Sequence, residues 1–306
     1  MRPEAGLAKA PATRNLLSDT VIGTLCGVAA ALCWAIGFAI AKHGIQAGMT
    51  PADLAFHRFA WTGILLAPLL FSRGFSDPGG IGWPRGIVMM LLAGPIQAFL
   101  AYLGFTLVPL GHGAVIQPAT AAFAGVLLSA LILHEHLTAI RVVGVVIIIA
   151  GLLLFGVEAL GSIGAHGVGG DLLFVVTGTL WACFGVTLRM WSVSGIRATM
   201  IVGVLAVIFL LPLHALVFGY RDMIAAGLSQ NVLQALVQGG LAGAVPIYLY
   251  ARAVALLGAG RAALFPTLVP VFAMVLGIIL LGEIPTAVRL VGLAIVIVGF
   301  RLAMKP

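Results

Sequence analysis

The sequence predicts an all-α integral membrane protein: ten transmembrane helices arranged as two inverted five-helix repeats. Three observations carry that prediction. Of 306 residues, 62% are apolar and only 8% charged, whereas a soluble domain keeps roughly a quarter of its residues charged to face water. The apolar residues form long runs between short polar breaks, each near the ~20 residues that a helix needs to cross a ~30 Å hydrocarbon core. The chain also repeats itself. Pro118, Glu135, Thr138, Arg141 and Gly144 recur as Pro266, Glu283, Thr286, Arg289 and Gly292, each 148 residues later.

Residues 1–20, MRPEAGLAKAPATRNLLSDT, read as a short cytoplasmic tail. The apolar run after it is too long for the core of a cleaved signal, and no small-residue cleavage site follows. Span one covers about 21–42 and span two about 52–72, closed by SRGFSDPGGIGWPR with its turn-forming Gly, Pro, Ser and Asp. Spans three, four and five follow at about 86–107, 113–133 and 139–158, the last ending in LGSIGAHGVGG. Span six, about 170–190, stops at WSVSGIR; span seven, about 198–218, at GYRD; span eight, about 232–253, at LGAGR. Spans nine and ten cover about 261–281 and 286–304.

The repeats therefore divide as 21–158 and 170–304. Tyr102 matches Tyr250 and Gly151 matches Gly299 at the shift of 148, and Trp34-Ala35 matches Trp181-Ala182 at 147. Five crossings are an odd number, so the second copy begins on the other side of the membrane. A pseudo-two-fold axis in the membrane plane then relates the halves. Secondary transporters are commonly built this way, with the substrate site near the midplane between the repeats.

Orientation follows from the basic residues, which are retained in the cytoplasm. With the N-terminus inside, twelve of the sixteen Lys and Arg residues fall on the cytoplasmic side, leaving Lys42, Arg58, Arg221 and Arg289. Both termini are expected in the cytoplasm, in a multi-pass protein of the inner (plasma) membrane. That distribution accounts for the net charge of +7 without a nucleic-acid partner. Cys26, Cys33 and Cys183 lie within spans with no CxxC pair, so neither a disulfide framework nor a zinc site is expected.

Substrates lack the symmetry of the scaffold, so residues without a counterpart are the better site candidates. Span two reads PADLAFHRFAWTG, while the matching ATMIVGVLAVIF has no ionisable group. Arg58 lies about 10 Å into the bilayer at 1.5 Å per residue from Pro51. A charge at that depth normally faces a wet cavity or a partner, and here it is expected to receive a carboxylate or phosphate. The alternative is a snorkelling or scaffold arginine. His57 precedes it, and Trp61 follows on the same helical face. Gln97, Tyr102, Gln117, Tyr250 and the pair Trp34 and Trp181 complete the expected binding set, since buried amides and hydroxyls need partners that a cavity supplies. All nine acidic residues fall in tails, loops or span ends, which favours uniport or exchange over a proton pump.

The repeated polar residues read differently. Threonine before spans five and ten is an N-cap, and Glu135 and Glu283 complement the helix dipole. With Arg141 and Arg289 they form, in the simplest reading, a clasp within each helical hairpin, or a gate at each membrane face. Pro118 and Pro266 bend their helices and free a carbonyl. His134-Glu135-His136 is the one fragment that hints at an enzyme, and it lacks the i, i+4 histidine spacing of a zinc protease. No catalytic residues, metal or cofactor are expected.

The twin Pro…Glu-x-x-Thr-x-x-Arg-x-x-Gly phrases, the two Trp-Ala pairs and Arg58 resemble the drug/metabolite transporter superfamily. Within it they resemble the ten-helix EamA-type members, over essentially the whole chain. The resemblance implies an alternating-access secondary transporter of a small polar metabolite, with export of amino acids or related metabolites the preferred activity. The alternative is a sugar-phosphate or nucleotide-sugar exchanger, expected to bury more than one Lys or Arg; a membrane-embedded enzyme is a distant third. The implied partners are a small-molecule substrate and the lipid bilayer, for a monomer or homodimer.

Overall fold

The computed structural model describes residues 16–71, 77–108, 110–157, 168–281 and 284–305. Most of the expected tail, and Glu283, lie outside the described residues. Among these residues all regular structure is helical. In chain order the main elements are α1 (Leu16–Gln46), α2 (Pro51–Phe71), α3 (Trp83–Leu107), α4 (Leu110–Leu133) and α5 (Ala139–Phe155). The second half contributes α6 (Gly169–Met190), α7 (Gly195–Phe218), α8 (Arg221–Leu257), α9 (259–281, in pieces) and α10 (Ala287–Ala303). Seven of them, α1, α3, α4, α6, α7, α8 and α9, are long and apolar enough to cross a membrane. The helices α5 and α10 have 17 residues each, and α2 carries Asp53 and Arg58 among its 21.

Helices of equivalent position in the two halves pack on each other. α5 lies against α10 along repeat-related glycines: a Cβ on Gly151 would stand 2.8 Å from the Gly292 carbonyl, and one on Gly299 2.8 Å from that of Gly144. Glycine is needed there because the two backbones touch, and close approach of small residues is what associates helices in lipid. The contacts Gly144–Gly299 and Gly151–Gly292 interchange when the halves are exchanged, and their order makes the helices antiparallel. α2 crosses α7 in the same antiparallel sense, with Asp53 beside His214, Gly63 against Gly203 and Leu70 clustered with Met200. α1 packs on α8 and α9, as α6 packs on α3 and α4. Every one of these pairings maps onto itself or another when the halves are swapped.

The polar interior sits where helices break. α3 is interrupted at Gly94, before Pro95, which has no N–H to continue the ladder. α8 begins at Arg221, earlier than the expected start near 232, because Gly227 at φ 84° admits a short helical turn ahead of the span. It then widens into π-helical turns over Ala235–Ala244, a form concentrated at functional sites. α9 breaks into Ala259–Ala262, a 3₁₀ turn at Phe265–Leu268 and Val269–Leu281. The two matched prolines therefore act differently: Pro266 lies in that interruption, whereas Pro118 sits inside a continuous α4.

Candidate functional site

A cavity of about 60 Å³ lies between α1, α2, α3, α4, α6 and α9. A buried water needs roughly 10–15 Å³ on this measure, so the space holds a few waters or a small solute. Of the residues expected to bind substrate, Trp34, Arg58, Gln97, Tyr102, Gln117 and Trp181 line it, and Pro118 and Pro266 form part of its wall. Residues from both halves are thus brought to one place.

Arg58 is only 7% exposed, yet among the described residues no carboxylate lies within 4 Å of it. Its Nη1 donates to the Tyr102 hydroxyl at 3.1 Å, Tyr102 donates to Gln238 Oε1 at 3.0 Å, and Gln238 Nε2 donates to the Gly37 carbonyl at 2.7 Å. This chain fixes one edge of the guanidinium and joins α2, α3, α8 and α1. Five N–H donors in a planar fork leave donors for an acceptor in the cavity. Gln238 lies in the π-helical turns of α8 and is fully buried.

An aromatic wall stands opposite. Trp34 and Trp181 meet edge to face, and Tyr250 packs on both rings, at 5.9 and 5.0 Å between centroids. Trp181 Nε1 and the Tyr250 hydroxyl are buried together, and neither has another hydrogen-bond partner among the described residues. Tyr250 supports the tryptophans and does not itself line the cavity.

Two further members of the expected set, His57 and Trp61, lie away from the cavity. His57 is buried, but it faces α8 instead of the cavity: its Nδ1 accepts from Trp61 Nε1 at 3.0 Å, and its Nε2 lies 3.0 Å from Asn231 Oδ1. The Asn231 amide donates to the carbonyls of Met223 and Gly227, so its oxygen accepts and the imidazole is the neutral Nε2–H tautomer. Trp61 stacks on His57 and is 39% exposed. Helical spacing put it on the Arg58 face, but the i, i+4 bond to His57 turns it outward.

The clasp expected in the first hairpin is not formed, and Glu283 of the second lies outside the described residues. Glu135 accepts from the backbone N–H groups of Ala259 and Gly260, at 2.9 and 3.1 Å, so it caps the start of α9 in the other half. Gly258, at φ +88°, makes the turn that presents those groups, and a Cβ there would stand 2.8 Å from Glu135 Oε1. Thr138 is the N-cap of α5 by backbone geometry without a side-chain cap bond, and Arg141 donates to the His136 carbonyl at 3.1 Å. In the second hairpin the Thr286 hydroxyl accepts from the Arg289 backbone at 3.4 Å, and the Arg289 side chain is exposed.

Two buried contacts went unread in the sequence. Asp53 Oδ1 lies 3.0 Å from His214 Nε2 between α2 and α7, and His112 Nδ1 lies 2.7 Å from Asp171 Oδ1 between α4 and α6. The acidic residues at the starts of α2 and α6 read only as span-end groups. Nothing in the linear pattern signalled a histidine 161 or 59 residues away. Both pairs join one half to the other at the end of the molecule opposite the α4–α5 turn.

A bundle of repeated apolar helices, broken around a central polar cavity built from both halves, defines a membrane transporter architecture. The sequence profile of the EamA-like transporter family matches residues 21–157 and again 168–304. The chain belongs to that family, and so to the drug/metabolite transporter superfamily. A solved crystal structure is similar over 94% of this chain and 96% of its own, with TM-score 0.70 at 19% identity, a likeness of fold. No curated protein matches the chain significantly.

Proposed function

We propose that this transporter works by alternating access on a small metabolite bearing an anionic group, with export of amino acids or related metabolites the preferred activity. Arg58 receives the anion, Gln97 and Gln117 the polar remainder, and Trp34 and Trp181 the apolar part. The observation that carries this reading is a buried guanidinium lining the cavity with no carboxylate partner among the described residues, anchored on one edge by Tyr102. A sugar-phosphate or nucleotide-sugar substrate is disfavoured, because Arg58 is the sole cationic side chain among the described lining residues. The termini and the α4–α5 turn face the cytoplasm on this reading, and Glu135 latches that end by holding the start of α9.

Counterflow in proteoliposomes tests it, with labelled amino acids, amines, organic acids and sugar phosphates offered to the wild type and to Arg58→Ala. Accumulation of one anionic or zwitterionic class, lost in Arg58→Ala, is the expected result. Accumulation of cationic solutes that ignores the substitution overturns it.

A further inference from the structure

A second cleft, of about 370 Å³, opens between the α4–α5 turn, α6 and the α8–α9 junction. Arg141, Arg189 and Arg261 line it, with Glu135 as the single carboxylate. Both Glu135 oxygens are engaged by the start of α9. Among the described residues none of the three arginines has a carboxylate within 4 Å.

Each guanidinium is instead anchored by one backbone carbonyl: Arg141 by His136 at 3.1 Å, Arg189 by Ala255 at 3.2 Å and Arg261 by Lys305 at 3.4 Å. Arg141 is only 6% exposed, and its Nε and that of Arg261 are buried without a hydrogen-bond partner. Like charges converging in a partly buried site repel and are desolvated. Packing does not demand the arrangement, since Arg261 corresponds to Gly113 in the first repeat and the equivalent scaffold does without that cation.

We propose that this cleft binds a phosphate-type anion, the chemistry shared by an acidic phospholipid headgroup and a soluble phosphate. Arginine forks match phosphate oxygens in paired hydrogen bonds, and an anion bridging the three relieves their mutual repulsion. Leu256 and Leu257 supply an apolar flank. Because Arg141 belongs to the first half and Arg189 and Arg261 to the second, the bound anion ties the halves together beside the Glu135 contact. The site is independent of what the central cavity carries.

The test uses the full chain in two arms. In detergent, inorganic phosphate is titrated and the unfolding midpoint followed. In nanodiscs, phosphatidylcholine with and without phosphatidylglycerol is compared, and the lipids retained after extraction are counted by native mass spectrometry. The expected result is a midpoint raised by about 5 °C at saturating anion, or selective retention of phosphatidylglycerol. Arg189→Gln and Arg261→Gln should each weaken binding by roughly tenfold or more. A response to phosphate assigns a soluble ligand, and a response to phosphatidylglycerol alone assigns the headgroup. No response in either arm, or an undiminished one in both variants, overturns the site. Should the variants fail to fold, modification of the wild type by phenylglyoxal decides, since anion that leaves Arg189 and Arg261 unprotected also overturns it.

Discussion

Trp34 and Trp181, equivalent residues of the two repeats, touch edge to face with ring centroids 5.0 Å apart and planes at 87°. Residues related by a two-fold axis meet only if they lie beside it, so the pseudo-axis passes between these rings. Symmetry fails immediately around them. Tyr102 bonds Arg58, while its counterpart Tyr250 packs on the two tryptophans.

The Arg58–Tyr102 bond predicts an order of effects. Arg58→Ala should reduce transport of the anionic solute by roughly 10- to 150-fold, as loss of a charged hydrogen bond costs about 1.5–3 kcal/mol. Tyr102→Phe removes the anchor and the bond to Gln238 but leaves the guanidinium in the cavity, and at about 1 kcal/mol it should cost roughly fivefold. Concentration-dependent counterflow on both variants checks this, and a Tyr102→Phe loss as large as that of Arg58→Ala would mean the hydroxyl contacts solute directly.

Glu135 predicts a change in accessibility. Glu135→Gln replaces two charge-assisted bonds to α9 with weaker ones, which should loosen that end. Ser129 is fully buried beside Gly260, so a cysteine placed there, in a chain freed of Cys26, Cys33 and Cys183, reports on it. Maleimide labelling should be slow with Glu135 and several-fold faster with Gln. Equal rates would sink the latch.

The α5–α10 seam predicts a stability difference between neighbours. Gly144→Val drives a branched side chain into the Ala303 backbone and should cost about 3 kcal/mol. Val143→Ala, at a 51% exposed position, should change the unfolding midpoint little. Thermal unfolding of the two variants in one detergent makes the comparison.

His57 predicts a dissociation of stability from solute affinity. His57→Gln breaks the Trp61–His57–Asn231 chain and should lower the unfolding midpoint. The apparent affinity in counterflow should stay within about twofold, because His57 faces α8 and not the cavity. A tenfold loss of affinity at normal stability would return His57 to the binding set.

Much of the architecture was legible because repetition and hydropathy are linear signals. The matched phrases marked α4–α5 and α9–α10, and the Trp-Ala pairs led to the centre of the molecule. What linear pattern does not carry is partner choice across the fold. Glu135 stands close in sequence to Arg141, but the backbone N–H groups it holds are 124 and 125 residues away. Trp61 shares a helical face with Arg58, yet one hydrogen bond to His57 turns it aside. The π-helical turns that carry Gln238 have no signature in ALVQGGLAGA, which reads as an ordinary apolar span.

The glycine contacts of α5 and α10 carry a thermodynamic corollary. A scaffold whose halves were interchangeable would have the same free energy with its opening at either mouth, because swapping the halves turns one state into the other. Any resting preference must then originate at mismatched positions. Arg58 against an apolar stretch, and Arg261 against Gly113, are such positions. On the proposed alternating-access reading, duplication supplies a two-way switch at balance, and a handful of unpaired substitutions weight it.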